Sequence, residues 1–427
     1  MNGFQGLIGI VVILLLAWLM SNNRKKVNYR LVLTGLGLQI LLGALILKVP
    51  LVTNFFKFLG KVVEKIDAAA FKGASFVFGG ISVFNPADPA NPMIYREGEN
   101  LSSSLRPFVF GFNVLGTIII ICILVAILYH FGIMQRIVGF LAKWMNKILQ
   151  VSGVESLSNV GSAFVGQVEA QVMIQPFIKN MTRSEIMASM AGSFACISGS
   201  VMAIYASFGI PMEFLLTASL MAAPGALVIA KIMFPETEES ETKGEVKIST
   251  KSQYDSLVDA ITHGASDGMK ISLNVFAMVI GFIALVALVN MALAYIPVGQ
   301  GVDPISLGTI FGYIFRPMAW VMGVPTADLQ IVGQLMGTKM ALNEFIAYLN
   351  MSEIIGNGGL SEKGQIIASF ALCGFANFGS VGIQIGGISA LCPERRKDIT
   401  KIGLKAMFAG TLASYMSATI AGILMSF

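Results

Sequence analysis

Two carboxylates lie in surroundings written for hydrocarbon. Glu169 sits in AFVGQVEAQVMI and Glu344 in QLMGTKMALNEFIAYL. The chain around them is 55% hydrophobic and only 12% charged, with a mean hydropathy of +0.75. Placing an ionisable side chain in a membrane segment costs roughly 2.5–3.5 kcal/mol even on a lenient insertion scale; such a residue faces a cavity or a partner and marks a substrate or ion path. Each carboxylate has an amide beside it, Gln167 or Asn343, and a glycine before it, Gly166 or Gly337, expected to turn the chain. Acid and amide together supply donors and acceptors for a polar ligand. A third polar segment, GFANFGSVG, surrounds Asn377 and Ser380 with Gly374, Gly379 and Gly382. A helix so rich in glycine is expected to unwind, and unwound backbone in a bilayer is tolerated only where it lines protein or water. The plainer alternatives are that Lys339 pairs with Glu344 and neutralises it, and that the glycines serve close helix packing.

The elements that must position these groups are membrane helices. Apolar segments near 4–20, 31–49, 107–129, 186–208, 213–234, 271–297, 365–391 and 403–426 are each long enough to span about 30 Å of hydrocarbon. The first lacks a basic flank and is followed at once by another apolar run, so it reads as a retained helix rather than a signal peptide. Residues 52–106 read as an amphipathic helix lying in the interface, followed by a Pro-, Asn- and Ser-rich loop. The stretch 235–255 is the one clear hydrophilic linker. Basic clusters at Arg24, Lys25, Lys26 and Arg30, at Arg136, Lys143 and Lys147, and at Arg395, Arg396, Lys397 and Lys401 fit one topology under the positive-inside rule, with both termini external.

The chain repeats itself. Ile186, Ala188 and Ser189 recur as Ile366, Ala368 and Ser369; Phe194-Ala195 recurs as Phe375-Ala376, and Gly199-Ser200-Val201 as Gly379-Ser380-Val381. Each copy follows one of the carboxylate segments, and the charge pattern starts the copies on opposite sides. An inverted repeat with glycine-interrupted segments in corresponding positions is the signature of a secondary transporter, with its site at the midplane. Cys122, Cys196, Cys373 and Cys392 show no metal-ligand spacing and read as buried thiols, and His130 and His263 lie near segment ends. An intramembrane enzyme using Glu169 and Glu344 as an acid/base pair, and a passive channel, are the alternatives; neither needs inverted symmetry, and no nucleophile or metal set accompanies the carboxylates.

GQVEA, GTKMALNEFIAYL and FALCGFANFGSVG, followed by SATIAG, resemble the concentrative nucleoside transporter family over nearly the whole chain. The resemblance implies an all-α polytopic membrane protein: eight transmembrane helices, two re-entrant hairpins and an interfacial helix, assembled as a homotrimer in a bacterial inner membrane and working as an elevator. It implies scaffold in 1–150, a transport domain with the first hairpin in 151–235, a cytoplasmic linker in 236–265, a scaffold helix and interfacial segment in 266–325, and the second hairpin and repeat in 326–427. The substrate would be a uridine-like nucleoside, with no nucleic acid and no cofactor beyond a coupling ion, Na+ or H+. Gln167 and Glu169 would hold the base, with Val201 packed on it. Asn343 and Glu344 of the second hairpin, with Asn377 and Ser380, would hold the ribose, and Phe375 would pack beside it.

The sodium site implied by the resemblance comprises Ser162, Val165, Cys196 and Ile197. Sodium-coupled members carry Asn where this chain has Ser162, Thr where it has Val168, and Ser where it has Cys196. Each change removes or softens an oxygen ligand, and a hard cation prefers oxygen to thiol. Proton coupling through Glu169 or Glu344 is the rival expectation, with Glu169 favoured because no basic residue lies near it in sequence.

Overall fold

A computed structural model describes residues 2–78, 110–241, 254–296 and 304–426. The proline-rich loop after position 83 and most of the hydrophilic linker lie outside the described residues. All regular structure in the described residues is helical.

From the N-terminus, α1 (Asn2–Leu19) and α2 (Tyr29–Lys48) lead into α3 (Pro50–Phe78), then α4 (Phe110–His130) and α5 (Ile133–Leu149). The α4–α5 pair bends by 74°. Gly132, at φ +69° on the α5 N-cap, supplies the left-handed residue for that bend. The first carboxylate segment is a helical hairpin of α6 (Gly153–Ser162), α7 (Glu169–Met173) and α8 (Gln175–Ile178). It is followed by α9 (Arg183–Ala195), α10 (Gly199–Ser207) and α11 (Met212–Met233), then by the long α12 (Leu257–Leu293) and α13 (Leu307–Val321). The second carboxylate segment is a hairpin of α14 (Leu329–Ala341) and α15 (Glu344–Gly356); α16 (Glu362–Leu372), α17 (Phe378–Leu391) and α18 (Arg396–Leu424) complete the chain.

Among the described residues, four helices are long and apolar enough to cross a membrane, or five if the bent pair is one span. The span 365–391 is broken at 373–377, as its glycine content leads one to expect, and 186–208, expected as a continuous span, is broken at 196–198. The cause is local. Ser198 and Asn377 act as N-caps, their side-chain oxygens accepting from the backbone N–H of Val201 (3.4 Å) and Ser380 (2.8 Å), so a new helix starts at each. α12 starts at Leu257, just past the hydrophilic stretch 235–255, and its 37 residues extend for about 55 Å at 1.5 Å per residue.

Packing sorts the helices. α18 lies against α9, α11, α16 and α1, and α11 lies against α2 and α9, whereas α12 packs on α4 and α3 on α4. Gln39 of α2 is wholly buried and donates to the Met221 carbonyl of α11 (3.0 Å) and to Ser417 Oγ of α18 (3.2 Å). α2, through Gln39, and α1, through its packing on α18 and α11, thus lie with the broken helices. The base of the first hairpin is fixed by a buried ion pair between Lys231 of α11 and Glu155 of α6, with Ser184 Oγ a further Lys231 partner at 2.8 Å.

Candidate functional site

The two hairpin turns are built differently. Gly166 makes the first turn at φ +120°. A Cβ there would lie 2.5 Å from Glu169 Oε2, so glycine is required both by the backbone and by the carboxylate folded over it. Gly337 does not make the second turn: it lies inside α14, where a side chain would run into Phe311 of α13. The second turn falls at Leu342 and Asn343; Asn343 Oδ1 caps α15 by accepting from the N–H of Ile346 at 2.9 Å. Likewise Gly379 and Gly382 are helical residues of α17, and Gly374, at φ +124°, is the glycine of the unwound stretch.

Each hairpin docks on one break. In the first half, the N–H of Gly199 donates to the Phe164 carbonyl at 3.0 Å, and Gly166 approaches Ser198. In the second, Lys339 Nζ donates to the Ala371 carbonyl at 2.9 Å and the Tyr348 hydroxyl to the Ser369 carbonyl at 2.6 Å. These donors serve carbonyls at the C-terminal end of α16, where positive charge is favourable. No ion pair joins Lys339 directly to Glu344 among the described residues; the ammonium's hydrogen bond goes to the Ala371 carbonyl. The two breaks then meet: the N–H of Phe375 donates to the Cys196 carbonyl at 3.3 Å.

At that meeting point Glu344 is 6% exposed. Its Oε1 accepts from the Tyr205 hydroxyl at 3.1 Å and its Oε2 from Asn377 Nδ2 at 2.9 Å. A carboxylate offers about four lone-pair positions, so two remain for a ligand. Asn377 is used at both ends, its nitrogen on Glu344 and its oxygen on the N–H of Ser380, and so fixes the acid against α17. Tyr205, from α10, is the residue that sequence reasoning missed. Its ring stacks on Tyr348 (centroids 4.5 Å apart) and meets the edge of Phe345 at 6.0 Å. Its partner lies 139 residues away, and one tyrosine in an apolar helix gives no local signal.

The first-hairpin residues lie toward α4 and α12, with Glu169 in electrostatic range of Tyr129, Cys122 and Asp267. Gln167 is half-buried, and its Oε1 is buried with no hydrogen-bond partner. Glu169 keeps an accessible side chain, with the N–H groups of Val168 and Glu169 directed at its carboxylate. Val201 is half-buried on α10 behind the Ser198 cap, and Phe375 is buried beside the break. Ser162, Val165, Cys196 and Ile197 are all buried where the first hairpin meets the α9–α10 break. The second hairpin and the two breaks thus form a buried polar centre with a positioned carboxylate, and the first hairpin adds Gln167, whose amide oxygen has no partner among the described residues.

Three family profiles match this chain: "Na+ dependent nucleoside transporter C-terminus" over residues 214–422, the corresponding N-terminus profile over 8–81, and a "Gate" profile described as nucleoside recognition over 111–212. The nucleoside permease NupC of Helicobacter pylori is 36% identical, covering 97% of this chain and 96% of its own. The sodium/nucleoside cotransporter 2 of Rattus norvegicus is 34% identical over 97% of this chain, which spans 62% of that longer protein. Among solved structures, CNTnw in an inward-facing substrate-bound state superposes with a TM-score of 0.89 at 36% identity, covering 100% of this chain and 98% of that one. These relatives are transporters and permeases, so the reading of Glu169 and Glu344 as an enzyme's acid/base pair is set aside.

Proposed function

We propose that this chain, which belongs to the concentrative nucleoside transporter family, is a cation-coupled symporter that imports nucleosides across a bacterial inner membrane. The observation that carries this is the Glu344 carboxylate, buried at the turn of the second hairpin against the two broken helices and held by Tyr205 and Asn377 with acceptor positions to spare. Vicinal ribose hydroxyls suit those positions, because a carboxylate accepting from both makes charge-assisted bonds. Ser380 and the Asn343 amide complete the ribose side. Gln167, whose buried oxygen lacks a partner, meets the base together with Glu169, with Val201 and Phe375 packing on it.

In this reading the eight spans, two re-entrant hairpins and inverted repeat form an elevator, assembled as a homotrimer. The matched docking of each hairpin on its own break supports the repeat. The moving part includes α1 and α2, since Gln39 ties α2 to α11 and α18, while α3, α4 and α12 form the fixed frame. The basic clusters face the cytoplasm and both termini lie outside. Uptake of labelled uridine into proteoliposomes, with proton and sodium gradients imposed separately, tests the function. Accumulation above equilibrium with one gradient supports a symporter; equilibration regardless of gradient is the behaviour of a channel, and no uptake at all overturns the reading.

Two results follow from the site. Uridine should compete for uptake far better than uracil, because a free base leaves the buried acceptors of Glu344 unpaired, a loss of about 1–3 kcal/mol per group. Equal competition by uracil would remove the ribose subsite. Tyr205→Phe keeps the ring packing and deletes one donor to the acid. Hydrogen bonds to charged groups contribute about 1.5–3 kcal/mol, so uridine affinity should fall at least about tenfold at 1.4 kcal/mol per decade. Binding titrations of the folded variant give the answer, and parent-like affinity would show that Tyr205 does not position Glu344.

A further inference from the structure

Ser219 of α11 lies where a coupling cation is expected on the sodium-site assignment. Its Oγ is 3.3 Å from the Ile197 carbonyl oxygen and 3.4 Å from the Ala163 carbonyl oxygen, while the Cys196 thiol donates to the carbonyl of Ser219 itself at 3.6 Å. One serine, 1% exposed, thus joins the first hairpin, the α9–α10 break and α11.

The side-chain oxygen of the expected ligand set, on Ser162, is also engaged. Ser162 Oγ donates to the Ser158 carbonyl at 2.7 Å and lies 2.9 Å from Ser193 Oγ. Ser193 Oγ accepts from Gln171 Nε2 at 2.9 Å, and Gln171 Oε1 accepts from Ser189 Oγ at 2.9 Å. The protons run one way, from the Gln171 amide to Ser193, to Ser162 and on to the Ser158 carbonyl. A hard cation needs several converging oxygens with lone pairs to give. Here the Ile197 carbonyl meets a hydroxyl proton, the Ser162 oxygen accepts from Ser193, and the other polar side chain of the set is a thiol. The donor set does not fit Na+.

We infer that a hydroxyl–thiol network centred on Ser219 replaces an alkali cation at this junction, so that the first hairpin is held against α9, α10 and α11 without Na+ and coupling does not pass through this site. The word coupling rests on the symporter reading; the binding of the ion does not. The Val165 side chain packs on Met134 and Ala170, so this residue can add only its backbone carbonyl to the set.

The test is thermal unfolding of the purified protein at fixed pH and ionic strength in sodium, potassium or choline chloride. A ligand that binds only the folded form raises stability with its concentration. The parent is expected to unfold at the same temperature in all three salts. Ser162→Asn/Cys196→Ser/Ser219→Ala restores hard ligands and removes the competing hydroxyl, and should gain a saturable, sodium-specific rise of a few degrees. Ser219→Thr keeps the hydroxyl and should remain indifferent to the salt. A sodium-specific rise in the parent overturns the inference. So does a folded, uridine-binding triple variant that ignores sodium. If the triple variant does not fold, the parent and Ser219→Thr decide it by the same criterion. In proteoliposomes a proton gradient at zero sodium should drive uridine accumulation in the parent, and strict dependence on external sodium would also overturn the inference. Failure of the parent to bind uridine, with unfolding independent of the salt, would instead sink the nucleoside reading and leave the network standing.

Discussion

Glu344→Gln is expected to abolish concentrative uptake of nucleoside while leaving the protein folded. Glutamine matches the acid in shape, so the aromatic packing of Tyr205, Phe345 and Tyr348 has no reason to change. The chemistry changes on two counts. The acid receives donors on both oxygens, from Tyr205 and from Asn377; an amide can accept on one side only and turns an N–H toward the other donor. The charge-assisted bonds offered to ribose hydroxyls also become neutral, roughly half as strong. Two weakened contacts and one opposed donor, at about 1–3 kcal/mol each, predict a loss of affinity of a hundredfold or more. Uridine binding and uptake by the purified variant, with its unfolding temperature as the control for folding, decide the matter. If it binds and transports uridine like the parent, Glu344 is not the ribose ligand.

Gly374→Ala is expected to lose folded protein rather than transport alone. Gly374 has φ +124°, a conformation that costs a side-chain-bearing residue of order 1–3 kcal/mol. A Cβ there would also lie 2.6 Å from the Ala195 carbonyl oxygen and 2.7 Å from that of Phe194. Those carbonyls belong to the end of α9, so the clash falls where the two broken helices meet and cannot be relieved by rotating a side chain. Strain and displacement together exceed about 3 kcal/mol, a large part of typical net stability. The expected result is a sharp drop in yield and unfolding temperature. Gly382→Ala is the matched control: this glycine is helical, exposed and open on its Cβ side, and alanine favours a helix. A Gly374→Ala protein as stable as the parent would mean that the two breaks do not need close approach.

The particular residues show where sequence reading stops. Glu169 and Glu344 were legible because an acid in an apolar segment is costly wherever the segment packs. The break at 373–377 was legible from its glycine and asparagine content. The break at 196–198 was not, because serine is an unremarkable residue in a small-residue helix until its oxygen is seen capping Val201. Gly337 was misread for a related reason: in sequence a packing glycine and a turning glycine look alike, and only the position of Phe311 separates them. Lys339 is another case, since closeness in sequence to Glu344 suggested an ion pair, whereas the folded chain directs the ammonium to the end of α16.

The sequence alone determined that this is a helical membrane protein with two polar carboxylate segments and one glycine-interrupted helix. It also determined which acids and amides a transport site has available. Those are properties of composition, periodicity and local capping, each carried within about a turn or two of helix. Only the tertiary structure decided which groups those acids meet. Tyr205 reaches Glu344 from 139 residues away, Phe375 joins its backbone to Cys196, and Ser219 brings a hydroxyl to the Ala163 and Ile197 carbonyls. Such contacts leave no local trace, because a hydrogen bond between distant segments constrains their placement in space and not the residues beside them in the chain.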